Sequence, residues 1–315
     1  MTALEKQFLG AAAKLLPWMS ETGVTDLLIN GVESAYVQRY GALEAIDRPF
    51  ATPAELFDFL DRILIPLGKR MEAARPYIDG KLADGSRFHL IYPPLAPRGP
   101  VLSIRKHARR GEFTWENFGG GEGLAWAVGA FGRRRNLLLC GGTGSGKTTL
   151  LTLLLQTVPH NQRLLVIEES PEIRLDHPHA VYLEARPENA EGVGEVTLST
   201  LLRNALRMRP DRLVLGECRG PEAWDLIQAL NTGHPGSACT LHANGARDGL
   251  RRLETLLLLA QPQAPLAAVR EWVASALDGV VFLGRSAGVP RVLEVLELKG
   301  LESQNYRIHP HLLQG

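Results

Sequence analysis

The chain has 315 residues, of which 45% are hydrophobic and 22% are charged, and its formal net charge at pH 7 is +1. These values are typical of a globular protein with room for two domains, and the small net charge excludes a global basic field that would recruit nucleic acid directly. The longest apolar run, 256–260, is too short to cross a bilayer, so we expect membrane contact only through a partner.

The cysteine pattern points to a reducing compartment. Cys140, Cys218 and Cys239 form no C-x-x-C pair, and they follow or lie within apolar runs that predict core strands. We therefore predict buried free thiols rather than disulfides. The N-terminal segment does not resemble a secretory signal, because Glu5 and Lys6 interrupt its apolar residues. The expected location is the cytoplasm.

The first part of the chain predicts a small α+β domain over residues 1–110. Residues 1–20 have the spacing of an amphipathic helix, and Pro53 and Gly68 bracket a second helix over 54–67. Short strands separated by turns are predicted at 26–30, 35–38, 43–46, 87–92 and 101–106. The polar, glycine-rich segment 111–123 is the predicted linker.

Residues 124–315 predict a second domain in which strands alternate with helices. This alternation is typical of an α/β fold with a mainly parallel sheet. The apolar runs that predict its central strands are 137–140, 164–167, 213–215 and 238–241.

The strongest motif lies between the first of these strands and an apolar helix. Residues 141–149 satisfy the pattern G-x-x-x-x-G-K-[ST]. Glycines allow successive backbone N–H groups to surround a phosphate, and the following helix directs its positive end at the same anion. Lys147 is expected to reach the β- and γ-phosphates, and Thr148 to bind Mg²⁺. The predicted nucleotide contacts are Gly141, Gly142, Thr143, Gly144, Ser145, Gly146, Lys147, Thr148 and Thr149, and the predicted ligands are ATP and Mg²⁺.

Polar residues end the other three strands as well. Because ligands bind at the carboxyl ends of parallel strands, we expect Glu168, Glu169, Glu217 and His242 to approach the same edge. Glu217 is the predicted acid that holds or polarises the attacking water, and His242 is a candidate sensor of the γ-phosphate. Glu168 and Glu169 form an acidic pair near the metal. Since adjacent strand residues face opposite ways, we expect only one of them to face the site, and alternation leaves open which one. Thr148 and Glu168 are the predicted metal ligands.

Together these blocks resemble the type II/type IV secretion ATPase superfamily, over residues 26–296. The resemblance rests on 167–169, 213–219 and 236–244. The segments 206–212 and 231–234 are most similar to the CpaF/TadA branch of tight-adherence (Flp) pilus ATPases, and 103–106 also fits that branch and the type IV secretion ATPases. The resemblance implies a RecA-like P-loop NTPase domain preceded by a smaller α+β domain.

The resemblance also implies a homohexameric ring that acts on an inner-membrane platform protein, with nucleotide held between the two domains. Arg87 and Arg105 stand where that family supplies arginine fingers, which stabilise charge on the transferred phosphoryl group. Further arginine candidates are Arg203, Arg207, Arg209 and Arg219. No direct contact with nucleic acid is expected.

Some features depart from the pattern, and alternatives remain open. Glu169 stands where the family usually has aspartate, a tetracysteine zinc module is absent, and the long N-terminal extension common in tight-adherence ATPases is not seen. The pilus motor is the preferred interpretation. The alternatives are a type IV secretion ATPase that moves protein or DNA–protein cargo, and a nucleotide-gated assembly module with little turnover. A nucleoside kinase is disfavoured because no acceptor pocket or lid is recognisable.

Overall fold

The computed structural model describes residues 1–21, 23–39, 42–106, 114–118, 120–188, 193–286 and 288–312. The chain divides into two compact units, Met1–Gly111 and Glu112–Gly315.

In the first unit, helices precede and interrupt an antiparallel sheet. The helices are α1 (Ala3–Gln7), α2 (Leu16–Ser20) and α3 (Pro53–Leu64), with 3₁₀ turns at Gly10–Leu15 and Ile65–Leu67. The strands are β1 (Val24–Asn30), β2 (Ser34–Arg39), β3 (Ala42–Ile46), β4 (Tyr77–Lys81), β5 (Arg87–Ile91) and β6 (Val101–Arg105).

The predicted continuous helix over 1–20 is instead broken into three short pieces. Gly10 has a φ of +66°, a left-handed conformation that stops α1 from continuing. Pro17 lies at the start of α2, where its missing N–H costs no hydrogen bond. The apolar face is nevertheless buried as the spacing predicts, because Phe8, Ala12 and Leu15 enter the core of this unit.

The strands of the first unit form one sheet within the described residues, in the order β3-β2-β1-β6-β5-β4. Arg87 of β5 pairs directly with Arg105 of β6, so these two residues are cross-strand neighbours on one face. The same Arg105 pairs with Asp26 of β1 on its other side.

The second unit alternates strands and helices. Its helices are α4 (Glu122–Gly132), α5 (Lys147–Gln156), α6 (Leu198–Ala205), α7 (Glu222–Asn231), α8 (Ala246–Ala260) and α9 (Leu266–Ala276), preceded by a 3₁₀ turn at Trp115–Phe118. Its strands are β7 (Leu137–Gly141), β8 (Leu164–Glu168), β9 (Ala180–Glu184), β10 (Arg212–Cys218), β11 (Ala238–His242), β12 (Gly279–Ser286), β13 (Val289–Glu302) and β14 (Asn305–Leu312).

Its sheet has the order β14-β13-β12-β7-β11-β10-β8-β9 within the part of the chain that the structure describes. The strands from β12 to β9 are parallel to their neighbours, and β13 and β14 add an antiparallel edge. Leu138 and Leu165 face one apolar core, with α6 to α9, while Leu137 and Leu164 face a second core, with α4 and α5. The predicted α/β class, with a mainly parallel sheet and a smaller α+β unit before it, is confirmed.

The predicted linker differs from the structure in its second half. Residues 111–113 and 119 lie outside the described residues. Phe118 is fully buried in a core of the second unit, and α4 begins at Glu122. Part of the segment predicted as a linker is therefore folded onto the second unit, because its aromatic side chains supply apolar surface that a solvated linker would leave exposed.

Candidate nucleotide-binding and hydrolysis site

The carboxyl ends of four adjacent parallel strands form the candidate site. In the sheet order, β7 is followed by β11, β10 and β8, so the strand ends meet at one edge. Each strand extends beyond its predicted end. As a result, Glu168 and His242 are the last residues of β8 and β11, and Glu217 lies within β10.

The glycine loop between β7 and α5 has no space for side chains at its two framing glycines. A Cβ atom on Gly141 would lie 2.4 Å from the Leu283 carbonyl oxygen and 2.5 Å from Ser145 Oγ. Gly146 has a φ of +95°, and a Cβ there would lie 3.0 Å from Pro290 Cβ. Ser145 Oγ is buried and has no hydrogen-bond partner among the described residues. This tight turn with an unsatisfied polar atom at a helix N-terminus fits a phosphate group.

Lys147 folds back over the loop. Its Nζ donates hydrogen bonds to the carbonyl oxygens of Gly141, at 3.0 Å, and Gly142, at 2.8 Å. Burial lowers the pKa of Lys147, while the nearby Glu217 carboxylate opposes that shift. The structure therefore holds a cation against the backbone of the predicted phosphate-binding loop.

Thr148 contacts a carboxylate that the sequence analysis missed. Its Oγ1 donates to Glu172 Oε2 at 3.2 Å. Glu172 follows Glu168 by one short bend that contains Pro171, and this third acid in the run 168–172 is the signal that could have identified it. Glu172 thus joins the Thr148 hydroxyl as an oxygen group beside the loop.

The two adjacent glutamates have different surroundings, because Glu168 ends β8 and Glu169 lies in the bend that follows. Glu168 is only 5% exposed, whereas the Glu169 side chain is 62% exposed. The Glu168 carboxylate accepts hydrogen bonds from the backbone N–H groups of Glu172, at 2.9 Å, and Ile173, at 3.1 Å. It therefore anchors the segment that carries Glu172. Gly216 makes room for this side chain, because a Cβ at Gly216 would lie 2.7 Å from Glu168 Cγ.

Burial raises the pKa of Glu168 from 4.5 to about 7, although the hydrogen bonds from Glu172 and Ile173 act in the opposite direction. The folded protein thus binds more protons at this carboxyl than the unfolded chain does between these two values. Metal-free protein should lose stability as the pH rises through this window and reach its lower plateau above about pH 7, with a total loss of up to ~3 kcal/mol.

We expect Glu168→Gln to remove this part of the pH dependence, because the amide does not titrate. The measurement is the free energy of unfolding by urea at pH 5 and pH 8 in the presence of a chelator. Glu169→Gln, at the exposed neighbouring position, is the matched control and should keep the wild-type slope. Equal slopes for wild type and Glu168→Gln would contradict the assignment.

Glu217 is held between Arg219 and His242. Its Oε2 accepts a hydrogen bond from the Arg219 guanidinium, and its Oε1 lies 2.9 Å from His242 Nε2 but has no aligned hydrogen-bond donor among the described residues. Burial and the nearby Lys147 ammonium lower the pKa of His242, so its ring is neutral near pH 7. The Glu217 carboxylate is therefore held between a guanidinium and an imidazole at the end of β10 and β11.

The arrangement of oxygen atoms fits Mg²⁺ bound together with a nucleotide. Within the described residues there is no group of three or more His, Cys, Asp or Glu side chains that would hold a metal alone. Mg²⁺ is usually held by one or two protein oxygens together with substrate phosphates and water. The Thr148 hydroxyl and the Glu172 carboxylate provide such oxygens beside the loop.

The predicted arginines have different surroundings. Arg219 belongs to the site and also lies 3.5 Å from Glu169 Oε2. Arg203 pairs instead with Asp225 of α7, at 2.8 Å, and Arg207 and Arg209 are exposed. Arg87 and Arg105 belong to the first unit, so their predicted role at the nucleotide stays a prediction.

No helix among the described residues combines the length and the apolar character needed to span a membrane.

Comparisons with known proteins identify the family of the chain. Residues 13–285 match the family described as type II/IV secretion system protein. The chain is 36% identical to a putative conjugal transfer protein of Mycobacterium tuberculosis strain H37Rv, over 96% of this chain and 89% of that protein. It is 31% identical to the conjugal transfer protein TrbB of Rhizobium radiobacter, over 92% and 88% of the two chains.

Among solved structures, the Legionella pneumophila ATPase DotB matches 90% of this chain and 80% of that chain, with a TM-score of 0.65 and 20% identity. This likeness concerns the fold. The predicted superfamily is confirmed, while the tight-adherence branch stays a prediction. By the family match over most of its length, the chain belongs to the type II/IV secretion system protein family.

Proposed function

We propose that this chain is a Mg²⁺-dependent ATP hydrolase that works as a homohexameric motor of a type II/IV secretion or pilus machine. The observation that carries the proposal is the meeting of Lys147, Glu217 and His242 at the phosphate loop. A loop that only held nucleotide would not need a paired carboxylate and imidazole next to it.

Each side chain in this cluster has a chemical task. Lys147 neutralises phosphate charge, and Glu217 orients a water molecule and accepts its proton. His242, neutral near pH 7, contacts Glu217 and relays the state of the phosphate to β11. The Glu168 carboxylate accepts hydrogen bonds from the backbone N–H groups of Glu172 and Ile173 and so positions Glu172. When bound, Mg²⁺ would lie near Thr148 and Glu172 and neutralise charge on the phosphates.

The proposed partners and location follow from the family. A motor of this kind would sit at the cytoplasmic face of the inner membrane and act on a platform protein there. For the machine, the names of the curated relatives favour conjugal transfer by a type IV secretion system. The interpretation as a tight-adherence pilus motor is supported by the segments 206–212 and 231–234. Deleting the gene separates the two: loss of DNA transfer supports the first, and loss of surface filaments supports the second.

The decisive test measures steady-state ATP hydrolysis against protein concentration, with oligomer size determined in the same samples. For the wild type, we expect the rate per subunit to rise as hexamers form. Lys147→Ala should lower ATP affinity by about tenfold or more, since it removes a charge-assisted contact to the phosphates, and should abolish the hydrolysis. Tight ATP binding without any turnover that Lys147→Ala removes would overturn the motor proposal and favour the nucleotide-gated module.

A further inference from the structure

A second charged cavity lies in the second unit, at a place that the candidate site does not use. It has a volume of about 300 Å³, is open to solvent on one side, and is lined by helices α8 and α9 and strand β14. Its lining residues are Arg247, Leu250, Arg251, Glu254, Arg270, Asn305, Tyr306 and Ile308. None of them belongs to the phosphate loop or to the cluster around Glu217.

One face of α8 supplies half of this lining. Arg247, Leu250, Arg251 and Glu254 stand at positions i, i+3, i+4 and i+7, so they project from the same side of the helix. Arg247 and Arg251 are exposed, and their guanidinium groups have no ion pair or hydrogen bond within the described ranges of the chain. Their two positive charges are therefore available to a ligand.

Glu254, the acidic residue of the cavity, already forms an ion pair with Arg270. Arg270 Nε lies 2.9 Å from Glu254 Oε1, and this carboxylate is buried. The Arg270 Nη1 atom donates to the Gln304 carbonyl oxygen at 3.0 Å and to Asn305 Oδ1 at 3.3 Å. Arg270 is thus held in place by the protein, and Glu254 cannot also neutralise the two arginines of α8.

Tyr306 adds a neutral donor. Burial and the adjacent Glu254 carboxylate raise the pKa of Tyr306, so the hydroxyl keeps its proton at physiological pH. The hydroxyl oxygen is buried beside the Glu254 carboxylate. The cavity therefore combines an excess of positive charge with a buried O–H group.

We propose that this cavity binds a phosphate-bearing anion, either inorganic pyrophosphate or the polyphosphate of a nucleotide. Arginine is suited to this because its planar fork of N–H groups matches the oxygens of a phosphate. The volume is at the small end for ligand pockets and suits a phosphate group better than a large molecule. The proposal does not depend on hydrolysis at the phosphate loop.

The test uses isothermal titration calorimetry with Lys147→Ala protein, in which phosphate binding at the loop is weakened. Pyrophosphate is the first probe and ATP is the second. Adding Arg247→Gln and Arg251→Gln should weaken pyrophosphate binding at least tenfold. Arg307→Gln is the matched control, since Arg307 is an exposed neighbour of Tyr306 on β14 that does not line the cavity; it should change the affinity less than twofold.

The outcomes show which phosphate compound binds in the cavity and which results contradict the proposal. If pyrophosphate and ATP bind with similar affinity, and the variant with Arg247→Gln and Arg251→Gln binds neither, the phosphates alone are sufficient for binding. Tighter binding of ATP that is lost in the same variant identifies a nucleotide as the ligand. Absence of pyrophosphate binding to Lys147→Ala protein at millimolar concentration, or equal binding with and without the two α8 arginines, would overturn the proposal. Far-ultraviolet circular dichroism checks that each variant is folded.

Discussion

Glu217→Gln is expected to lower the kcat for ATP hydrolysis by about 10²–10⁴-fold while changing the affinity for ATP only a few-fold. The amide keeps the size of the side chain and its contact distance to His242, but it cannot accept a proton from water. The Arg219 guanidinium would lose its charged partner at Oε2. Single-turnover hydrolysis and equilibrium nucleotide binding, measured on the same preparation, separate the two effects.

The control for this variant is Glu271→Gln, which makes the same chemical change at an exposed position of α9. It should leave kcat, nucleotide affinity and oligomer size unchanged. If Glu217→Gln retains a kcat within threefold of the wild-type value, Glu217 is not the group that activates water, and Glu172 becomes the next carboxylate to substitute.

Arg105→Ala should reduce turnover by about 10³–10⁵-fold if it supplies an arginine finger to a neighbouring subunit. Its side chain is exposed at the end of β6, next to Arg87 on the adjacent strand. Removing the guanidinium leaves charge on the transferred phosphoryl group uncompensated. The measurement is the steady-state rate of assembled hexamers. Arg48→Ala, at another exposed position in the first unit, is the control and should keep the wild-type rate.

Mixing subunits tests whether the arginine acts in trans. Arg105→Ala and Glu217→Gln proteins are each expected to be inactive alone. In mixed hexamers, an intact Arg105 can face an intact Glu217 across a subunit boundary, so part of the activity should return. If the mixture stays inactive although the subunits co-assemble, a finger acting between subunits is ruled out for Arg105.

The fold was accessible from the sequence because its signals are local and repeated. Apolar runs such as 137–140 and 164–167 are buried on both faces, so they have the composition of central parallel strands. The segment 1–20 was harder, because helical spacing of apolar residues does not reveal a left-handed glycine at position 10. Phe118 was also missed: its burial depends on packing against residues far along the chain.

The sequence predicts which residues form the candidate site, but it does not predict which of their side chains are in contact. The loop, Glu217 and His242 stand at strand ends that sheet topology brings together. Of Glu168 and Glu169, Glu168 is the buried one, and Glu169 lies beyond the end of β8. Alternation carries no information about the bend after Glu168, which returns the chain and places Glu172 against Thr148.

The position of β7 in the sheet has a consequence for biosynthesis. Leu138, in the strand that leads into the phosphate loop, pairs with Cys239 on one side and with Val280 on the other. Both partners leave the ribosome long after β7 does, and contacts of such sequence separation form slowly. The emerging β7 therefore exposes an apolar strand with two unpaired edges, a state prone to aggregation. Chaperone depletion should lower the soluble yield of this protein more than that of a fold built from local contacts.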